Sequence, residues 1–239
     1  MALRELLRLV SGLTRLRAMP FALLALVVVT VVHLGAQVVA PDGVLADLTQ
    51  ILLMPALLWV LLAGTPNPKS LLVRLVGVAL VLSWLGDTLP RFTADGSDLG
   101  FGLMLGAFFL AQLAYVAAFL PFASRSIIRR RPALLAPYVI LLGVVVAVSA
   151  QGAGALFPAV LLYGLVIVGM AVLATGIDAV ATIGAVLFLV SDGLIALGAF
   201  AALELPLHGF WVMLTYVLGQ TLITLAVSHR DRTLAARQA

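Results

Sequence analysis

Long apolar runs separated by short polar breaks recur along the whole chain, at residues 21–40, 44–63, 70–90, 99–122, 132–149, 155–174, 178–203 and 207–228. Each is close to the roughly 20 residues a helix needs to cross about 30 Å of hydrocarbon. Lipid offers the backbone no hydrogen-bonding partner, so runs of this length predict helices. The pattern therefore predicts an all-α fold: a polytopic membrane protein with an eight-transmembrane-helix bundle. Most connecting loops are too short to hold a soluble domain. The first run is too long for a cleavable signal and reads as a retained span. Residues 1–18 then form a basic cytoplasmic N-terminal segment, 19–228 the transmembrane domain and 229–239 a cytoplasmic tail. Within the first segment, ALRELLRLVSGLTRLR reads either as an amphipathic helix on the inner leaflet or as a plain positive anchor.

Composition agrees: 64% hydrophobic and 10% charged residues in 239 leave too little polar surface to face water. The basic residues then set an orientation. With the N-terminus in the cytoplasm, that side collects Arg4, Arg8, Arg15, Arg17, Lys69, Arg74, Arg125, Arg129, Arg130, Arg131, Arg230, Arg232 and Arg237. The opposite side keeps only Arg91. Such an asymmetry over short loops follows the positive-inside rule and predicts an even number of crossings with both termini cytoplasmic. The expected location is a bacterial cytoplasmic (inner) membrane. The net charge of +4 reports topology and anionic headgroups, so no nucleic-acid partner is expected.

Several chemistries drop out. With no cysteine there is no disulfide, thiol nucleophile or thiolate metal site. His33, His208 and His229 fall in different segments without the spacing of a helical metal pair, so neither a metal nor another cofactor is expected. The single lysine, Lys69, is predicted in a loop, against a Schiff base buried in the bundle.

What remains is a set of acids and amides inside the helices. An ionisable group in a bilayer is costly, faces the bundle interior and marks a functional site. Only Asp87, in VLSWLGDTLP, and Asp192, in LFLVSDGLIALG, lie well inside predicted spans. At about 1.5 Å per residue, both sit roughly 20 to 26 Å from the cytoplasmic ends of their helices, at a depth that lets them share one cavity. Ala181, Ala185, Ala196 and Ala199 share a helical face with Asp192, a stripe that admits a close neighbour and points the acid inward. Ser83 lies one turn before Asp87 and is placed to donate to it. His33, Gln50, Tyr163 and Tyr216 fall at comparable heights, with Gln112, Tyr115 and Gln220 nearer the cytoplasmic half. Each has a simpler reading: the tyrosines Tyr163 and Tyr216 as interfacial anchors, the glutamines as interhelical glue, His33 as a packing residue. Gly102 and Gly106 read as helix-packing positions.

Two buried carboxyls suit hydrolysis, in which a protonated acid donates while its ionised neighbour orients water. They also suit a proton relay in a transporter. Intramembrane aspartyl proteolysis uses two helix-borne acids as well, but Trp84 stands in WLGD where that class has a glycine.

The ordered set LLMPALL (52–58), LSWLGDTL (82–89), FGLMLGAFFLAQLAYVAAF (101–119), the spacing of Tyr163 and Met170, IGAVLFLVSDGLIALGAF (183–200) and TYVLGQTLI (215–223) resembles the YhhN family of eight-helix membrane proteins, which includes the lysoplasmalogenases. The resemblance runs from about residue 49 to 225. It implies hydrolysis of the vinyl ether bond of a lysoplasmalogen, a single-chain membrane phospholipid, to a fatty aldehyde and a glycerophospho-headgroup. Asp87 and Asp192 are then the acid/base pair, with Ser83, Gln50, Gln112, Tyr115, Tyr163, Ser191, Tyr216 and Gln220 as supporting or substrate-binding candidates. The alternative on the same fold is a non-catalytic lipid-binding or proton-coupled transport protein. The chain departs from the family pattern in carrying Gln50 where a lysine is usual, Ile51 where a proline follows it, and Gln112 where helix four usually has a histidine.

Overall fold

A computed structural model describes residues 2–94 and 97–237, with side chains from residue 18 onward. The long helices are α1 (Ala2–Val39), α2 (Val44–Gly64), α3 (Leu71–Thr88), α4 (Asp98–Phe119), α6 (Ala136–Ala153), α7 (Phe157–Ala174), α8 (Ala179–Ala201) and α9 (His208–Ala236), with a four-residue α5 (Ile127–Arg130) between the fourth and fifth of them. No strand occurs among the described residues. Seven stretches among them are long and apolar enough to cross a bilayer, and the chain is an integral, multi-pass membrane protein. The fifth stretch, Pro132–Ala174, spans 43 residues and contains both α6 and α7. The break falls at Gly154, whose φ of +48° lies in the left-handed region that glycine enters without a Cβ penalty. The two helices fold onto each other so closely that a Cβ on Gly164 would lie 2.6 Å from Leu142 Cδ1.

Most predicted boundaries hold to within a few residues, and the larger departures have local causes. Pro90 and Pro121 lack a backbone N–H, and at each the α-helix gives way to a 3₁₀ segment, Leu89–Phe92 and Leu120–Arg125. The first helix starts at Ala2 and the last continues to Ala236, so the backbone is helical through most of both terminal segments. The side chains on which an amphipathic reading of ALRELLRLVSGLTRLR depends lie outside the described residues.

Large apolar side chains such as Phe21, Leu24 and Val31 on α1 and Val139, Ile140 and Val144 on α6 are exposed, as lipid-facing positions must be. Gly102 and Gly106 belong to this outer surface: a Cβ on either would meet nothing within 4 Å, so the packing role expected of them is wrong. Close approach occurs between α8 and α9 instead, where a Cβ on Gly184 would lie 2.7 Å from the Gly219 carbonyl and one on Gly219 2.8 Å from the Gly184 carbonyl. Only paired glycines admit that backbone contact. Between these helices and α3 and α4 lies an aromatic core of Phe108, Tyr115, Phe188 and Tyr216, with ring centroids 5.5 Å apart for Phe188–Tyr216 and 5.8 Å for Phe108–Tyr216.

One contact shows how the bundle satisfies its own backbone. Pro55 lies inside α2 and cannot donate to the carbonyl of Ile51, four residues back. The indole of Trp84, on α3, donates to that carbonyl at 3.0 Å. Trp84→Phe is therefore expected to cost about 1 kcal/mol, the low end of the penalty for an unpaired acceptor, because this one is only partly buried. Adding Pro55→Ala, which restores the missing N–H, recovers most of that loss. Thermal unfolding of the four combinations in detergent reads the coupling, and additive effects would disprove the shared role.

Candidate active site

Asp87 lies in the last turn of α3 on the inner face of the bundle, with 6% exposure. Tyr216, on α9, donates to Asp87 Oδ2 at 2.8 Å. One turn deeper, Gln220 Nε2 donates to Ser83 Oγ at 3.1 Å, while Tyr115 on α4 donates to Gln220 Oε1 at 2.5 Å. Ser83 and Asp87 are four apart on α3, as Tyr216 and Gln220 are on α9, so the two helices face each other across two successive polar rungs. Ser83 does not bond Asp87, as its position one turn away suggests; it serves as the acceptor of the deeper rung, which ties α3, α4 and α9 together.

The other oxygen of Asp87 faces α2. Gln50 Nε2 donates to Asp87 Oδ1 at 3.2 Å, and Gln50 Oε1 accepts from Arg91 Nη2 at 2.6 Å. Arginine can only donate, which fixes the amide orientation: oxygen toward Arg91, nitrogen toward Asp87. Arg91 also donates through Nε to the backbone carbonyl of Asp87 at 3.1 Å and pairs with Asp47 through Nη1. Gln50 itself carries no charge, but it is hydrogen-bonded to a side chain that does.

Asp192 stands on α8, where its Oδ2 accepts the hydroxyl of Tyr163 from α7. Each acid thus holds one tyrosine from another helix, and the anchor reading of Tyr163 and Tyr216 is corrected, since both hydroxyls point inward at a carboxyl. Ser191, beside it and 1% exposed, donates to the Val212 carbonyl at 3.0 Å and fastens α8 to α9. The alanine stripe divides: Ala181 and Ala185 are fully buried in packing, whereas Ala196 and Ala199 face open space beside Asp192.

That space is a cavity of about 770 Å³ whose wall includes Gln50, Asp87, Arg91, Asp98, Ser191, Asp192 and Tyr216. The two acids therefore share one cavity, as their matched depths suggest. Its lining comes from the start of α2, the end of α3, the start of α4, the second half of α8 and the start of α9, which is one end of the bundle. A narrow apolar groove between α4, α6, α7 and α8 adjoins it, with Phe101, Met104, Phe108, Asp192, Ile195 and Phe200 common to both. Asp192 and Tyr163 are the polar groups of the groove; the rest of its wall is hydrocarbon, aromatic or glycine. Among the described residues no cluster of three His, Asp or Glu side chains is placed to hold a metal.

The model of the YhhN family matches residues 45–227, more than half of the chain. The chain belongs to the YhhN family. Neither a curated protein nor a solved structure shows significant similarity to it. The family match covers every residue that lines the cavity, both acids included.

Not every candidate from this YhhN chain's sequence reaches the cavity. Tyr115 and Gln220 form the supporting rung beneath it, and His33 is a packing residue. Thr49 Oγ donates to the Leu45 carbonyl at 2.6 Å and so accepts from His33 Nδ1 at 2.9 Å. Gln112 adjoins Tyr163, yet both its amide atoms, fully buried, lack a partner at hydrogen-bonding geometry. As glue it fails, whereas Gln220 succeeds. Arg91 and Asp47 were missed as site residues because the one served only to count charge and the other lay at a predicted helix start. The signal was the four-residue spacing of Asp87 and Arg91 together with the isolation of Arg91 on its side.

The two glutamines should respond oppositely to Gln→Leu. Gln220→Leu strands the hydroxyls of Tyr115 and Ser83 and is expected to cost about 1–3 kcal/mol, whereas Gln112→Leu removes unpaired polar atoms and is neutral or stabilising. Thermal midpoints in detergent check this, and an equal loss in both would contradict the assignment.

Proposed function

We propose that this YhhN protein is a membrane-embedded lipid hydrolase of the lysoplasmalogenase type, with Asp87 and Asp192 as its acid/base pair. The observation that carries the reading is the meeting of two helix-borne carboxyls, each bound by a tyrosine, on one cavity that continues into an apolar groove. Eight crossings, with α6 and α7 counted separately and both termini cytoplasmic, complete the reading; the cavity then lies in the outer half of a bacterial inner membrane.

A vinyl ether is cleaved by protonation at its β-carbon. One carboxyl supplies that proton, leaving an oxocarbenium ion that the second, ionised carboxylate stabilises. The same carboxylate then takes a proton from water as it adds to the cationic carbon. The hemiacetal then collapses: the second carboxyl returns its proton to the glycerol oxygen, which leaves as an alcohol, while the first takes the hemiacetal hydroxyl proton, giving the fatty aldehyde and restoring both acids. Addition of one water balances the reaction, and no redox partner or metal is needed. Tyr216 and Tyr163 support the scheme by donating to whichever carboxyl is ionised at each stage.

Proton-coupled transport on the same fold is the alternative, but a polar cavity that continues into an apolar groove suits an amphiphile better than a hydrophilic solute. A purely lipid-binding role leaves the placement of two acids at a shared wall without a task, against the cost of burying them.

Purified protein given a lysoplasmalogen is expected to release aldehyde, and the ester-linked lysophospholipid is expected to release none. Asp87→Asn and Asp192→Asn each lower the rate about 10²–10⁴-fold, the usual contribution of a general acid or base. Folded, monodisperse protein that turns over neither lipid would refute the hydrolase reading. Tyr216→Phe is expected to slow turnover about 10-fold, with a larger effect on kcat than on KM, because a hydrogen bond to an ionised group contributes about 1.5–3 kcal/mol. An unchanged kcat would remove that tyrosine from the mechanism.

A further inference from the structure

Arg91 is the only cation among the described residues that line the cavity, and the orientation of the bundle gives it no topological work. Three of its bonds are identified: Nε to the Asp87 carbonyl, Nη2 to Gln50 and Nη1 to Asp47. A guanidinium has five N–H donors, so two remain unspent among the described residues. A side chain that only stapled α3 to α2 would be spent and sealed, yet this one is 24% exposed and borders the cavity. Its counter-ion, Asp47, is 46% exposed, and pairs of that kind contribute little and exchange readily.

We propose that Arg91 is the receptor for the phosphate of a single-chain phospholipid whose hydrocarbon chain occupies the groove beyond Asp192. The inference rests on the reading of the cavity as a lipid site and adds the group that recognises the head. Planar, permanently charged and carrying paired donors, a guanidinium suits a phosphate oxyanion better than any other side chain. Register supports the assignment. Arg91 follows Asp87 by four residues, about one helical turn further toward the end of the bundle that carries the cavity. That step matches a three-carbon glycerol, which separates the ether oxygen at one end from the phosphate at the other. With the phosphate at Arg91, the ether carbon lies level with Asp87 and Asp192, and the chain leads on past Phe101 and Phe200 into the groove. Asp47 holds the guanidinium in place until the lipid arrives, and Gln50 links it to Asp87.

Equilibrium binding to the full chain in detergent tests this with a 1-O-alkyl lysophosphatidylcholine, whose saturated ether is not cleaved by the vinyl ether reaction. A 1-O-alkylglycerol of equal chain length and inorganic phosphate complete the probe set. Arg91→Gln is expected to weaken the phospholipid about tenfold or more and to leave the alkylglycerol within about twofold, with Arg91→Lys between. Asp47→Asn, which removes the competing carboxylate, keeps or tightens phospholipid binding. Equal weakening of both lipids by Arg91→Gln, or a loss in Asp47→Asn as large as in Arg91→Gln, would make Arg91 a structural staple and overturn the proposal. Displacement of the phospholipid by millimolar inorganic phosphate would identify a site for a free anion and overturn it too. Thermal midpoints show which variants are folded; if Arg91→Gln is not, Arg91→Lys and Asp47→Asn carry the comparison. Because the probe is not turned over, headgroup discrimination without aldehyde release from lysoplasmalogen would sink the hydrolase reading alone.

Discussion

Inside a bilayer a polar group has no water to turn to, and that constraint organises this molecule. Each buried donor or acceptor must find its partner within the protein, on its own helix or on another, or remain unpaired at a cost of about 1–3 kcal/mol. Trp84 answers the acceptor that Pro55 leaves open on Ile51. Gln220 joins Tyr115 to Ser83, and His33 joins α1 to α2 through Thr49. Polar bonds of this kind, together with paired glycines on α8 and α9, determine which helix lies beside which, because hydrocarbon packing alone discriminates weakly among apolar faces that lipid also satisfies.

The same constraint makes the cavity informative. Asp87 is held from both sides, by Tyr216 on one oxygen and by Gln50 on the other, and Gln50 is oriented in turn by Arg91. Asp192 is held by Tyr163 and otherwise faces open space. The two acids are thus positioned by different helices with different degrees of support, which is how one fold can assign unlike roles to like side chains. The aromatic core of Phe108, Phe188 and Tyr216 lies directly behind Asp87 and keeps the tyrosine hydroxyl aimed at it.

The polar cavity and the apolar groove share a wall, so an amphiphile placed across them has its two halves in matching surroundings. The junction is where Asp192 stands. Gln112 is one of several exceptions to the pairing rule among the described residues: fully buried, beside Tyr163, and unpartnered at both amide atoms. In a bundle that otherwise pairs its interior glutamines, this one marks the least satisfied point near the site.

Much of the architecture was legible in the sequence because lipid imposes one simple rule on long apolar runs: they become helices of nearly fixed length. The boundaries of α2 to α4 and α6 to α8, and the shared depth of Asp87 and Asp192, follow from counting residues along runs. Facing direction did not follow, because a helix that is apolar all round has no amphipathic stripe to show which side is inward. Tyr163 and Tyr216 looked like interfacial anchors until the bundle turned their hydroxyls onto the acids. Gly102 and Gly106 looked like packing glycines until they proved to lie on the outer surface. Arg91, read from the sequence as a stray charge, acquired its role only when α2 and α3 came together and placed Asp47, Gln50 and Asp87 around it. The sequence determined that long apolar helices form and that the two acids stand at matching positions along theirs, because these are properties of one segment and its solvent. Which side chains meet was decided by the tertiary structure, because a hydrogen bond between helices depends on the rotation of both about their axes, which no single segment encodes.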